Sequence, residues 1–129
     1  MKTILNSKTH EYVKERKEFK NGTGSLRGLR TGGLGARSYG HLPPEARRPS
    51  LDKAEYVVYS YWTPIAWCYR GRWYYPNVSY SPTTTQHQGW VKMGMAGSPV
   101  YITVDKRKGS SAKRVDASTG RLDNADRRW

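Results

Sequence analysis

The chain has one cysteine, Cys68, which excludes an internal disulfide and fits a reducing compartment. Cys68 sits inside an apolar strand pattern with no activating base beside it in sequence, so it reads as a packing thiol and not as a nucleophile. Its three histidines, at 10, 41 and 87, are far apart in sequence from one another and from Cys68. No zinc signature can be assembled from them, and no metal or other cofactor is expected. No apolar stretch is long enough to cross a bilayer, and Met1-Lys2 leads into no apolar run of signal-peptide length. Residues 19–44 hold no acid, but Glu11, Glu15 and Glu18 argue against a transit peptide; a cytoplasmic protein is expected. A Walker loop, a dinucleotide-binding glycine pattern and a nucleophile elbow are all missing. Asp52 and Glu55, at the edge of the apolar region, make a poor acid/base pair, and nothing else points to an enzyme.

Acidic residues are scarce as well. Ten Asp and Glu face 23 Lys and Arg, a net charge of +13. Residues 1–50 contribute eleven basic against four acidic side chains, residues 51–104 four against two, and residues 105–129 eight against four. Most of the positive charge therefore lies on the flanks. Such a chain is attracted to polyanions, in a manner that salt screens.

What is abundant is aromatic side chain. Tyr56 to Gln88, YVVYSYWTPIAWCYRGRWYYPNVSYSPTTTQHQ, holds ten of the sixteen aromatic residues and almost no charge. Only 36% of the chain is hydrophobic, so the composition predicts a core of about 50–60 residues carrying two arms. The fold expected is α+β: a small antiparallel meander of three strands plus a fourth, covered by one short helix, between basic and largely irregular arms. The domains are then a basic arm over 1–50, a βββαβ core over 51–104 and a basic tail over 105–129.

Along the chain, SKTHEYVKERKEFK reads as a charged helix over about 8–20, capped by Ser7 and docked through Tyr12 and Phe19. Residues 21–50 are glycine- and arginine-rich and lack the apolar area to offset backbone entropy. They read as a linker, or as an arginine-glycine segment that coats single-stranded nucleic acid. A single helical turn is expected from Pro43 to Arg48, with Pro44 near its first position. Period-2 alternation then gives a strand over Tyr56–Tyr61, a turn at Trp62-Thr63-Pro64, a strand over Ile65–Tyr69, a tight turn at Arg70-Gly71-Arg72 and a strand over Trp73–Tyr75. Thr85 and Gln88 have capping-box spacing, predicting a helix over about 86–93 that presents Trp90 and Val91, with Met93 as a third contact, to the sheet. Val100–Val104 closes the sheet. After Asp105 no apolar period survives, which predicts a disordered or partner-dependent tail. Trp129 either docks back on the core or serves as a stacking or anchoring residue.

The pattern V-V-x-S-Y-x-T-P-I-A-W, a short turn with Gly and Trp, then V-x-Y-S-x-T-T-x-x-H-Q, covers Val57 to Gln88. It resembles a family of small uncharacterised proteins of actinobacterial phages, with His41-Leu42-Pro43 similar to the family's lead-in. The resemblance implies a bacteriophage origin and residence in the host cytoplasm. It implies no activity.

Two groups of residues stand out as candidate sites. Arg70, Arg72, Tyr69, Trp73 and Tyr74 interleave cations with rings at a hairpin tip, and with Lys106, Arg107 and Lys108 they form a candidate surface for nucleic acid or another partner. The alternative is that the arms fold over that second face of the sheet and bury it. Thr84, Thr85, His87 and Gln88, near Ser81, Ser60 and Tyr59, are a candidate anion site at a helix start; capping and a structural hydrogen bond account for the same residues. The function expected is a non-enzymatic phage accessory protein that binds nucleic acid or a nucleoprotein through basic arms and an aromatic sheet face, with no membrane partner. The alternatives are a protein-interaction module that modulates a host protein and a virion-associated structural component.

Overall fold

The β-branched and aromatic run YVVYS forms strand β4 (Tyr56–Ser60), with all five residues buried. The structure is a computed structural model describing residues 1–104, 114–116 and 122–125. In it, β4 is the middle strand of a seven-stranded mixed sheet with spatial order β1-β2-β3-β4-β5-β6-β7. The other strands are β1 (Lys2–Ile4), β2 (Phe19–Asn21), β3 (Leu26–Arg30), β5 (Thr63–Tyr69), β6 (Arg72–Asn77) and β7 (Val100–Thr103). β1 pairs with β2 in parallel, whereas β2 to β6 pair antiparallel in sequence order. Three helices, α1 (Thr9–Lys14), α2 (Pro49–Asp52) and α3 (Pro82–Gly94), and two 3-10 turns, Asn6–Lys8 and Pro44–Ala46, complete it.

The expectation of a three-to-four-stranded meander under one helix, with irregular arms, is therefore overturned. The run β4, β5, β6, α3, β7 is only part of the sheet, and the amino-terminal arm supplies its other three strands. Residues 8–20 form one short helix and then enter β2, so Phe19 is a strand residue packed 6.0 Å from the Tyr12 ring. Ser7 makes no cap; it lies in the 3-10 turn. Strands of three residues leave too few positions for an alternating pattern. They form because each is offered an edge of backbone donors and acceptors by the strand beside it, β3 by β4, β2 by β3 and β1 by β2.

Cross-strand partners share a face, so the register assigns each side chain. Tyr56, Cys68 and Trp73 line up on one face, and Leu29, Val57, Trp67 and Tyr74 on the other. The first face is covered by α1, α3 and the segment after α1: the Tyr56 hydroxyl donates to the Lys17 carbonyl at 2.7 Å. Gly94 of α3 lies against the His10 backbone and the Val13 side chain of α1, a crossing that a larger residue would push apart. Gly28 in β3 serves the same end, since a Cβ there would run into the Phe19 ring and the Tyr56 hydroxyl.

The second face is covered by residues 31–54, the segment whose composition reads as a linker. Trp67 Nε1 donates to Ser50 Oγ at 2.9 Å, the Arg37 amide to the Tyr59 hydroxyl at 2.8 Å, and the His41 amide to Thr63 Oγ1 at 2.9 Å. Backbone bonds Gly35→Ala54 and Ala36→Leu51, both 3.2 Å, fold the segment on itself. Its own Leu42, Ala46, Leu51 and Ala54 are buried, and each large apolar side chain so buried contributes about 1.5–3 kcal/mol. The single turn at Pro44–Ala46 starts at Pro44, as its sequence implies.

The chain divides into two compact units, Met1–Tyr75 with His87–Ile102, and Pro76–Gln86 with Thr103–Trp129. In the second unit Ser81 Oγ accepts from the Thr84 amide at 3.3 Å, so α3 starts at Pro82 with Ser81 before it and the Thr85–Gln88 capping box is not used. The backbones of β8 (Arg114–Asp116) and β9 (Leu122–Ala125) pair antiparallel. The expectations for Lys106, Arg107, Lys108 and Trp129 lie outside the described residues.

Candidate functional site

Two-residue hairpin turns favour conformations with both central residues at positive φ, a requirement met at least cost by Asn and Gly. The β5–β6 turn, Arg70-Gly71, conforms, with φ of 52° and 77°. The β4–β5 turn uses Tyr61-Trp62 at φ 50° and 63°, two bulky residues in the left-handed region. Each such residue costs on the order of 1–3 kcal/mol, and positions of this kind gather at functional sites. Tyr61 is 56% and Trp62 39% exposed.

Surrounding contacts hold the turn. The Tyr61 amide donates to the Ser25 carbonyl at 2.8 Å, which ties the tip to the β2–β3 loop. Trp62 lies 5.2 Å from the Tyr59 ring, with the Arg27 guanidinium 5.0 Å from its centroid; Arg27 Nε donates to the Gly24 carbonyl at 2.9 Å. Tyr61 lies instead 6.0 Å from the His87 ring. The two rings therefore sit on opposite sides of the ribbon, Trp62 with Tyr59 and Tyr61 with α3.

Beneath Tyr61, Ser60 Oγ and His87 Nδ1 share a hydrogen bond of 2.7 Å, and the His87 ring is 5.7 Å from Trp90. Burial pushes the His87 pKa below its ordinary 6.5, so the ring is neutral at pH 7. A serine bonded to a neutral histidine has the pairing of a nucleophile and its base. Here Ser60 is 1% and His87 2% exposed, so the pair joins β4 to α3 and presents nothing to solvent. Cys68 is equally closed: burial pushes its thiol pKa up, away from the thiolate.

Charge separates the two ends of β5, which are roughly 20 Å apart at strand rise. The segments that surround the aromatic tip, 21–27, 37–41, 60–63 and 87–90, include Arg27 and Arg37 and no acid. At the other end Glu18 and Glu55 accept from the Arg30 and Arg70 amides at 3.1 and 3.2 Å. Asp52 meets this rim through the Tyr39 hydroxyl, which donates to its carboxylate beside the Arg47 guanidinium, so cations outnumber acids there.

The residues singled out from sequence separate on folding. Arg70 and Arg72 are exposed, with the Arg70 guanidinium 5.5 Å from the ring of half-buried Tyr69. Trp73 is 1% exposed and packs edge-on against Tyr56 at 5.8 Å, so it has no face to offer a ligand. Tyr74 is half-buried and stacked on Trp67 at 6.3 Å. Thr84 and Thr85 belong to the second unit, where Thr84 is buried and the Thr85 hydroxyl donates to the Ser81 carbonyl at 3.1 Å; His87 and Gln88 are buried in the first.

Sequence reasoning placed Tyr61 in a strand and began the turn at Trp62, and so missed the tip. The turn carries no Gly, Asn or Asp, the residues by which such turns are recognised. The available signal was the length of the run itself, since YVVYS and TPIAWCY both need partners and only Tyr61-Trp62 lies between them. Among the described residues there is no cluster of three His, Cys, Asp or Glu able to hold a metal ion, and no helix long and apolar enough to cross a membrane.

Searches of the curated proteins and of the solved structures found no significant match to the chain. A family model does match, over residues 1–106, so it spans the whole seven-stranded sheet and both hairpin tips. By that match the chain belongs to DUF8033, a family of unknown function.

Proposed function

We propose that the protein is a non-enzymatic module that binds nucleic acid, alone or within a nucleoprotein, through the aromatic tip and its basic flanks. The observation that carries this reading is the pair Tyr61-Trp62, exposed at left-handed backbone positions within a rim where cations outnumber acids. Exposed rings beside cations stack bases while the cations meet phosphates. Sequence places further positive charge at Arg70, Arg72, Lys106, Arg107 and Lys108. The aromatic sheet faces take no part, being covered by α1, α3 and residues 31–54.

Fluorescence anisotropy with labelled nucleic acid at increasing salt tests the reading. Affinity that falls linearly on a log–log plot supports it, and absence of binding at about 50 mM salt ends it. A second reading, a module that binds a host protein, rests on the same tip, because Trp, Tyr and Arg dominate interface hot spots. Recovery of one protein from host lysate after nuclease treatment favours that reading. A bacteriophage origin, and with it residence in a host cytoplasm, is part of this proposal and follows from the sequence resemblance.

A further inference from the structure

We infer that the nucleic acid bound at the Tyr61–Trp62 tip is unpaired, with two bases splayed to opposite sides of the β4–β5 ribbon; this rests on the nucleic-acid reading above. The two rings do not form one platform. Trp62 stands beside Tyr59, a side chain of the face covered by residues 31–54, while Tyr61 stands beside His87 of α3, which covers the other. A base on each ring would be separated by the ribbon and by both rings. Neighbouring bases in a duplex strand rise about 3.4 Å, whereas a sheet with its side chains takes up about 10 Å along its normal, the direction that separates the two rings. No base step opens far enough to admit the tip while both bases stay paired. A flexible single strand passes over it without that constraint.

The charge pattern suits the same path. A strand crossing the tip from Trp62 to Tyr61 brings its phosphates past Arg27, whose guanidinium lies 5.0 Å from the Trp62 centroid. Held in its left-handed turn, with its amide on Ser25 and its neighbour Ser60 on His87, Tyr61 is already placed. Preorganisation of this kind lowers the ordering cost of binding.

The test compares labelled oligo(dT) and oligo(U) of about 16 nucleotides, a length within known single-strand site sizes, with a blunt duplex of the same length. It uses the full chain and a Tyr61→Asn/Trp62→Gly variant, whose residues suit the turn and so keep the fold. Tighter binding of the single strands, reduced by about thirtyfold or more in the variant while duplex affinity stays within about threefold, is the expected result. Binding of only one oligomer supports the inference, and oligo(dU) then separates the contribution of the sugar from that of the thymine methyl. Equal or tighter duplex binding overturns the inference and leaves the broader reading standing, whereas an unaffected variant that melts normally overturns both, because the broader reading also rests on the two rings. No binding of any of the three at about 50 mM salt overturns the reading itself.

Discussion

Tyr61-Trp62 and Arg70-Gly71 occupy the same two left-handed positions of a two-residue hairpin turn, at opposite ends of β5. The second uses glycine where glycine is cheapest and sets its arginines among carboxylates. The first uses two aromatic residues and is held by Ser25, Tyr59, Arg27 and His87. One turn is chosen for geometry and the other for what it displays. Ring and cation contacts of about 0.5–1.5 kcal/mol each offset much of the strain at Trp62. Tyr61, more exposed and with its ring 6.0 Å from that of His87, retains more of its cost.

The largest expected effect makes the first turn resemble an ordinary one. Tyr61→Asn/Trp62→Gly should weaken single-strand binding by about 2–6 kcal/mol, two stacked bases at 1–3 each. Its stability should change by no more than about 1 kcal/mol, because relief of backbone strain opposes the removal of ring packing. Anisotropy and thermal melting read the two effects separately; a large loss of stability would show that the rings serve the fold.

Ser60→Ala attacks the support behind the tip and should cost about 1–3 kcal/mol by stranding a buried histidine nitrogen, visible in urea unfolding as a lower midpoint. His87 also carries a pH dependence. Its folded-state pKa lies below the unfolded 6.5, so the unfolded chain takes up the proton first. The stability it contributes is complete above 6.5 and is lost as pH falls below that value towards the folded pKa. His87→Gln should flatten this part of the stability profile, and an unchanged profile would show that exposed carboxylates set it.

Gly71→Ala tests the other turn. At φ 77° a Cβ meets no neighbour, so only backbone strain is added, about 1 kcal/mol, and the melting temperature should fall by roughly 4–8 °C. Arg70→Gln/Arg72→Gln should have the smallest effect on stability, within about 0.5 kcal/mol. If this tip also touches phosphate, the slope of log affinity against log salt should shrink by roughly one for each phosphate no longer neutralised.

How much of this was legible follows the length of the segments. β4 to β6, the Arg70-Gly71 turn and the turn at Pro44 could be read because each states its conformation locally, through alternation, glycine or proline. β1, β2 and β3 could not. Phe19, Leu26 and Leu29 stand singly among charged, polar and glycine residues, and their burial depends on the strands beside them, β3 for Phe19 and β4 for the leucines. The site followed the same rule. Arg70 and Arg72 were visible as an interleaved motif and are exposed, whereas alternation alone did not say that Trp73 would face Tyr56 and be hidden from solvent.

The sequence by itself determined a strong β-forming aromatic centre, an excess of basic side chains and, with one cysteine, no internal disulfide, since these depend on residue type and short-range spacing. Tertiary structure decided which rings remain outside. The centre holds more aromatic surface than one helix covers, and residues 31–54, too glycine-rich to order alone, close the second face because the sheet lends them donors at Trp67 and acceptors at Tyr59 and Thr63. What escapes both coverings is the turn, where Tyr61 and Trp62 stand beyond the ends of the paired strands.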